Sequence, residues 1–143
     1  MRPALVVEDV VLTGKASVLA DRPLASCSSG ERQRILIARA LFGAHGLLLF
    51  DEPAAGLDLP ARERLLAAMT SAATRPEAPT TVLATHRLEE IPSTVTHAAL
   101  LTAGRVTDRG RVERVLTDDA LSRCYGMDIA VDRRDGRWWA RAR

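Results

Sequence analysis

An uninterrupted apolar segment that ends in two carboxylates constrains this chain more than any other feature. Residues 46–50 read GLLLF, and Asp51 and Glu52 follow directly. A short, continuous apolar run predicts a strand that is covered on both faces of a sheet. Burying a charge is costly unless a metal, a partner or a substrate compensates. We therefore expect the two acids to lie at the end of the strand, where a ligand could need them.

The carboxyl end of such a strand is where open α/β sheets bind their ligands. Asp51 could hold Mg²⁺ through water, because Mg²⁺ tends to keep part of its hydration shell. Glu52 lies one residue further on, should point the other way, and could polarise a water molecule. On this stretch alone, two solvated acids at the end of a strand are an equally good interpretation.

Residues 28–43, SSGERQRILIARALFG, predict a capped helix that is largely buried, because apolar positions cover most of its circumference. Ser28 and Glu31 have the spacing of a capping box, and Gly43 stands where a C-terminal glycine belongs. A helix N-terminus presents unpaired N–H groups and can bind an anion, and Gly30 would let a phosphate approach the backbone. An ordinary capped helix without a ligand is the alternative.

The remaining segments complete an α/β pattern with parallel central strands, since strands alternate with helices. A strand that ends in LATH would bring His86 to the same sheet edge as Asp51 if the two strands are neighbours. The other predicted elements are a helix over 60–73 beginning at Pro60, a buried strand over 80–85, helical and turn segments at 88–97, strands within 98–110 joined at Ala103-Gly104, short helices at 111–116 and 118–126, and a hairpin over 127–142 turning at Asp135-Gly136.

Composition excludes several classes of protein. The chain has 143 residues, of which 47% are apolar and 27% charged, as in a globular domain. A net charge of +2 creates no field that demands nucleic acid. Cys27 and Cys124 lie far apart without metal-ligand spacing, and no run of 18 apolar residues occurs. We expect a soluble cytoplasmic domain with no zinc site and no nucleic-acid partner.

The arginine-rich end of the chain contains Trp138 and Trp139. Such a stretch could contact anionic lipid or nucleic acid. We favour a hairpin in which one tryptophan is packed and the other exposed, because successive side chains of a strand point to opposite faces.

Four motifs occur in order and at close spacing, and together they resemble the C-terminal portion of an ATP-binding-cassette (ABC) ATPase. They are CSSGERQR at 27–34, LLLFDEP at 47–53, GLD at 56–58 and TH at 85–86. They match the signature motif, the Walker B strand, the D-loop and the switch histidine of that family.

The resemblance implies a P-loop NTPase-like α/β core. The core would be partial, with a signature helix, a Walker B strand, an H-loop strand and C-terminal β elements. We expect a single domain over 1–143, divided into a remnant of the helical subdomain at 1–24, the motif-bearing core at 25–110, and C-terminal helices and a hairpin at 111–143.

The resemblance also implies a role for each matching residue, with ATP and Mg²⁺ as the ligands. Asp51 would position Mg²⁺. Glu52 would act on the attacking water, and His86 would contact the γ-phosphate. The residues that would serve the nucleotide of a partner subunit are Ser28, Ser29, Gly30 and Glu31 of the signature motif and Asp58 of the D-loop.

Other family motifs are missing from the sequence. A P-loop reads G-x-x-x-x-G-K-[ST], but beside Gly14-Lys15 the first glycine position holds Asp9 and the hydroxyl position holds Ala16. The Q-loop glutamine and the adenine-stacking aromatic are also missing, because Gln33 is the only glutamine and no aromatic precedes Phe42. We expect a fragment or truncated form, with an internal loss as well, that by itself binds and hydrolyses ATP negligibly.

Three interpretations of function stay open at this point. The first is the ATPase subunit of a transporter, paired head-to-tail with a second ATPase subunit and held at the inner face of the membrane by a permease. The segments VVLTG and GRW resemble those of bacterial metal or metal-chelate importers. The second is a soluble, non-transport ABC protein. The third is an inactive remnant, or a partner that supplies only the signature motif in trans.

Overall fold

A computed structural model describes residues 23–42 and 46–143. The predictions for Gly43, for Gly14-Lys15 and for the rest of 1–22 lie outside the described residues. The chain divides into two compact units, Met1–His86 and Arg87–Arg143. The expected division at residues 24 and 110 stays a prediction.

The first unit is built around a pair of parallel strands, as the sequence predicts. Strand β1 (Leu47–Asp51) pairs with β2 (Thr80–Ala84), so that Asp51 lies opposite Ala84. Parallel strands need a crossover connection, and helix α2 (Leu59–Ala73) lies within it. Helix α1 (Ser29–Phe42) precedes β1 and follows a short 3₁₀ helix at Leu24–Ser26.

One face of β1 forms the core of this unit. Leu48 and Phe50 are buried, whereas Leu47 is 53% and Leu49 70% exposed. The prediction of strands covered on both faces was therefore wrong for the described residues, and Val82 of β2 is also 50% exposed. The helices cover the face that carries the even-numbered side chains of β1, and alternate side chains point away from it. Within the described part of the unit, the core cluster contains Ile37, Leu48, Phe50, Ala54, Leu65 and Met69.

Helix α1 is also less buried than its composition predicts. Ile37 is 3% exposed, but Leu36 is 44% exposed. A helix packed along one side buries only the stripe that faces its neighbours. Apolar content was therefore a poor guide to which side of α1 is covered.

The second unit begins with a 3₁₀ helix at Leu88–Glu90 and continues with two antiparallel hairpins that have two short helices between them. Strands β3 (His97–Thr102) and β4 (Arg105–Arg111) form the first hairpin, and β5 (Ile129–Arg134) and β6 (Arg137–Ala142) the second. Helices α3 (Val112–Val115) and α4 (Asp118–Tyr125) lie between the hairpins. Both turns have two successive residues with positive φ, at Ala103-Gly104 and at Asp135-Gly136, as in tight hairpins. These confirm the predicted turn positions.

The two tryptophans of β6 have opposite environments. Trp138 is 7% exposed and packs with Leu88, Val112 and Leu121, whereas Trp139 is 44% exposed. The guanidinium of Arg133 lies 5.1 Å from the centre of the Trp138 ring, within cation–π range. The prediction of one packed and one exposed tryptophan is confirmed. Within residues 23–42 and 46–143, every helix is too short or too polar to cross a membrane.

Candidate functional site

Glu52 and His86 meet at the carboxyl ends of the two parallel strands. Oε1 of Glu52 accepts the backbone N–H of His86 at 3.1 Å and lies 2.7 Å from Nδ1 of the same residue. An ionised carboxylate can only accept, so Glu52 in that form would take this bond from an Nδ1–H tautomer of His86. The His86 side chain is 68% exposed and that of Glu52 34%, so an outside molecule can reach the pair.

The strand register explains why these residues meet. Asp51 lies opposite Ala84, and the backbone N–H of Glu52 donates to the Ala84 carbonyl at 2.9 Å, which extends the ladder by one residue. His86 follows two residues after β2 ends. Glu52 itself has a φ of 45°, in the left-handed region that non-glycine residues seldom adopt. Such strain costs about 1–2 kcal/mol and concentrates at functional sites.

Asp51 ends β1 on the face of the strand that is exposed. Among the described residues, no group of three or more His, Cys, Asp or Glu side chains could hold a metal ion by itself. Asp51 and Glu52 alone are too few ligands for a metal site made entirely of protein side chains. They fit Mg²⁺ that arrives with a nucleotide, because such Mg²⁺ uses one or two carboxylates together with phosphate oxygens and water.

The loop that follows Glu52 is held by two local turns. The N–H of Ala55 donates to the Glu52 carbonyl at 3.0 Å, and the N–H of Leu57 donates to the Ala54 carbonyl at 3.1 Å. Gly56 takes a φ of 73°, a conformation that favours glycine. The loop therefore has a defined conformation immediately after the carboxylate.

Asp58 caps helix α2, a role that the sequence analysis missed. Its Oδ1 accepts the N–H of Ala61 at 2.9 Å, and Pro60 stands in the first helical turn. An acid at the N-cap followed by a proline in the first turn is a recognised start signal for a helix, so the sequence held the information.

The first turn of α1 forms a capping box, as predicted. The N–H of Ser28 donates to Oε2 of Glu31 at 2.8 Å, and the N–H of Glu31 donates to Oγ of Ser28 at 3.3 Å. Ser29 begins the helix. A Cβ built on Gly30 would lie 4.0 Å from Cδ2 of Leu57, which is an ordinary contact. The candidate residues thus form three groups: Glu52 with His86 beside Asp51, Ser28 to Glu31 at the start of α1, and Asp58 at the start of α2.

Comparisons with known proteins decide the family. A family model described as "AAA domain, putative AbiEii toxin, Type IV TA system" matches residues 11–91, more than half of the chain. The "Uncharacterized ABC transporter ATP-binding protein YlmA" of Bacillus subtilis is 44% identical over 112 residues, which are 78% of this chain and 42% of that protein. The chain belongs to the ABC ATPase family. This confirms the resemblance inferred from the four motifs.

A second relative and a solved structure agree with that assignment. The ABC ATPase chain is 34% identical over 119 residues to the "Molybdenum import ATP-binding protein ModC" of Vibrio parahaemolyticus, covering 80% of this chain and 32% of that protein. A structure described as "An inward-facing conformation of a putative metal-chelate type ABC transporter" matches 98% of this chain and 66% of the other with a TM-score of 0.70. At 23% identity this match shows the fold alone, and it confirms the predicted fold class. The chain spans less than half the length of the curated relatives described here.

Proposed function

We propose that this chain forms part of the ATP-hydrolysing subunit of an ABC transporter, which couples ATP hydrolysis to transport across a membrane. The observation that carries the proposal is the 2.7 Å approach of Glu52 Oε1 to His86 Nδ1 at the carboxyl ends of parallel strands. That edge is where α/β sheets act on their ligands. Membership of the ABC ATPase family supports the same reaction.

Glu52 would act as the base toward the attacking water. Its Oε1 is engaged by His86, so Oε2 is the oxygen that would accept the proton from water. The histidine ring contacts Glu52 through Nδ1, and Nε2 would donate to a γ-phosphate oxygen in the ring that carries a proton on both nitrogens. Mg²⁺, held near Asp51 through water, would neutralise charge on the phosphates. Positioning and charge neutralisation supply most of the rate in phosphoryl transfer.

The start of α1 would serve a nucleotide held by a second ATPase subunit in a head-to-tail dimer. Among the described residues, the atom nearest to a Cβ on Gly30 is Cδ2 of Leu57 at 4.0 Å, so no close contact there requires a glycine. A glycine at this position would allow a phosphate from outside the chain to approach the N–H groups of the helix N-terminus closely. Ser28, Ser29 and Glu31 would contact the same γ-phosphate, with Asp58 near the subunit interface.

The transporter would also contain a transmembrane permease that holds the ATPase subunit at the inner face of the membrane. A metal or metal chelate is the proposed substrate class. The relative whose name states molybdenum import, at 34% identity, supports that class. Without a P-loop in its sequence, the 143-residue chain is expected to bind ATP negligibly by itself.

A chimera tests this proposal because it supplies the missing phosphate loop. The N-terminal portion of the Bacillus subtilis relative would be joined to residues 23–143 of this chain. We expect Mg²⁺-dependent ATP hydrolysis that Asp51→Asn lowers at least about tenfold, since one Mg²⁺-positioning charge is lost. Asp119→Asn, at an exposed acid of α4, is the matched control. Equal rates for Asp51→Asn and the parent chimera would contradict the proposal.

A further inference from the structure

We propose that Gln33 is a positioning residue that fixes the loop behind Glu52 and thereby holds the Glu52 carboxylate on His86. Its Nε2 donates to the carbonyl oxygen of Pro53 at 3.3 Å, across 20 positions of sequence. Gln33 is half-buried and Pro53 is buried. The relevance of Gln33 to catalysis rests on the proposed function, whereas its effect on the position of the Glu52 loop can be tested on the chain itself.

Glu52 needs such support because its backbone is in an unfavourable conformation. A φ of 45° persists in a non-glycine residue only where neighbouring contacts hold it. On one side, the N–H of Glu52 is bonded to the Ala84 carbonyl of β2. On the other side, the next carbonyl along the chain, that of Pro53, is bonded to Gln33. The strained residue is therefore held between a strand and a helix.

Gln33 lies in the middle of the contact between α1 and this loop. Gly30, Gln33 and Ile37 are spaced three and four residues apart, which places them along one side of the helix. Gly30 lies next to Leu57, and Ile37 packs in the core that includes Ala54. Displacement of the start of α1 would therefore reach the Glu52 loop through Gln33. The helix end proposed to meet a partner's phosphate is thus linked to the carboxylate proposed to act on water.

Amide hydrogen exchange of the intact 143-residue chain, followed by NMR, tests this role. The N–H of His86 reports the contact with Glu52, and that of Ala55 reports the turn that follows it. We expect Gln33→Leu to speed exchange at both amides about fivefold, as the loss of one hydrogen bond predicts. Exchange at Met69, in the buried part of α2, reports global unfolding and should accelerate less than exchange at His86 and Ala55.

Two further variants separate positioning from a general loss of stability. Gln33→Lys restores a donor of similar reach and should return His86 and Ala55 toward wild-type exchange. Arg32→Leu makes a comparable change at an exposed neighbour and should leave both amides unchanged. Wild-type exchange at His86 and Ala55 in Gln33→Leu would overturn the inference. An equal acceleration at Met69 would also overturn it, because that pattern reports global destabilisation.

A failed test of the Gln33 role can be distinguished from a failure of the proposed function. The exchange experiment uses no nucleotide, so an unaffected His86 amide would refute the role of Gln33 alone. Conversely, if Asp51→Asn leaves ATP hydrolysis by the chimera unchanged, the proposed function is refuted. The contact through which Gln33 positions the Glu52 loop would be unaffected by that result.

Discussion

One carboxylate oxygen of Glu52 binds His86 twice, through the backbone N–H and through ring Nδ1. The pair of bonds fixes both the position of the histidine and the orientation of its imidazole, which determines the nitrogen that faces away from the carboxylate. The strained φ of Glu52 accompanies this contact. A site built in this way depends on backbone geometry as much as on residue type.

Replacing His86 should separate activity from stability. The side chain is 68% exposed, so His86→Ala should lower the free energy of unfolding by less than about 1 kcal/mol, as for other exposed pairs. In the chimera, the same change should slow ATP hydrolysis about 100-fold or more, since the proposed contact between the imidazole and the γ-phosphate would be lost. Urea unfolding and steady-state hydrolysis measure the two effects. A large stability loss would mean that His86 is mainly structural.

Gly30 and Gly56 should respond to alanine in opposite directions. Alanine at Gly30 gains helix propensity, and the nearest described atom to its Cβ is Cδ2 of Leu57 at 4.0 Å, so Gly30→Ala should raise the free energy of unfolding by up to about 1 kcal/mol. Gly56 has a φ of 73°, and Gly56→Ala should lower the same quantity by about 1 kcal/mol. Chemical denaturation of both variants decides the matter. Destabilisation by Gly30→Ala would point to a packing role for that glycine.

Asp58 should show its capping role independently of any nucleotide. Asp58→Ala removes the acceptor for the Ala61 N–H and should cost about 1 kcal/mol of unfolding free energy. Asn is an equally good N-cap, so Asp58→Asn should leave stability nearly unchanged while removing the charge. Equal midpoint temperatures of thermal unfolding for Asp58→Ala and Asp58→Asn would show that capping by Asp58 does not stabilise α2.

Alanine substitutions at the adjacent residues Leu48 and Leu49 of β1 should lower the free energy of unfolding by very different amounts. Leu48→Ala opens a cavity in the core and should cost about 2–5 kcal/mol of unfolding free energy. Leu49 is 70% exposed, so Leu49→Ala should cost less than about 0.5 kcal/mol. Denaturant titrations of the two variants compare the faces of the strand directly. Similar losses at both positions would show that both faces of β1 are covered.

Local patterns predicted much of this fold because they depend on neighbouring residues. The capping box of Ser28 and Glu31, the parallel direction of β1 and β2, and both hairpin turns are confirmed. Each of these follows from short-range spacing or from the order of elements.

Burial and exact contacts were harder to predict because they depend on what packs against each element. A continuous apolar run does not reveal how many of its faces have a neighbour, and Leu49 shows the error. The order of the elements predicted the sheet edge at which His86 lies, on the condition that the two strands are neighbours. The bond from His86 to Glu52 could not be predicted, because it depends on a left-handed backbone at Glu52 that a glutamate disfavours. The hydrogen bond from Gln33 to Pro53 left no recognisable pattern in the sequence.

The most direct test of the account is ATP hydrolysis by the chimera that carries Glu52→Gln. Glutamine keeps the shape of the side chain but is a far weaker base, so turnover should fall about 100-fold or more. ATP binding should stay within about twofold of the parent chimera, since Glu52 is assigned to the water and not to holding the nucleotide. Hydrolysis at the parent rate, with binding intact, would contradict the role of Glu52 and the proposed function with it.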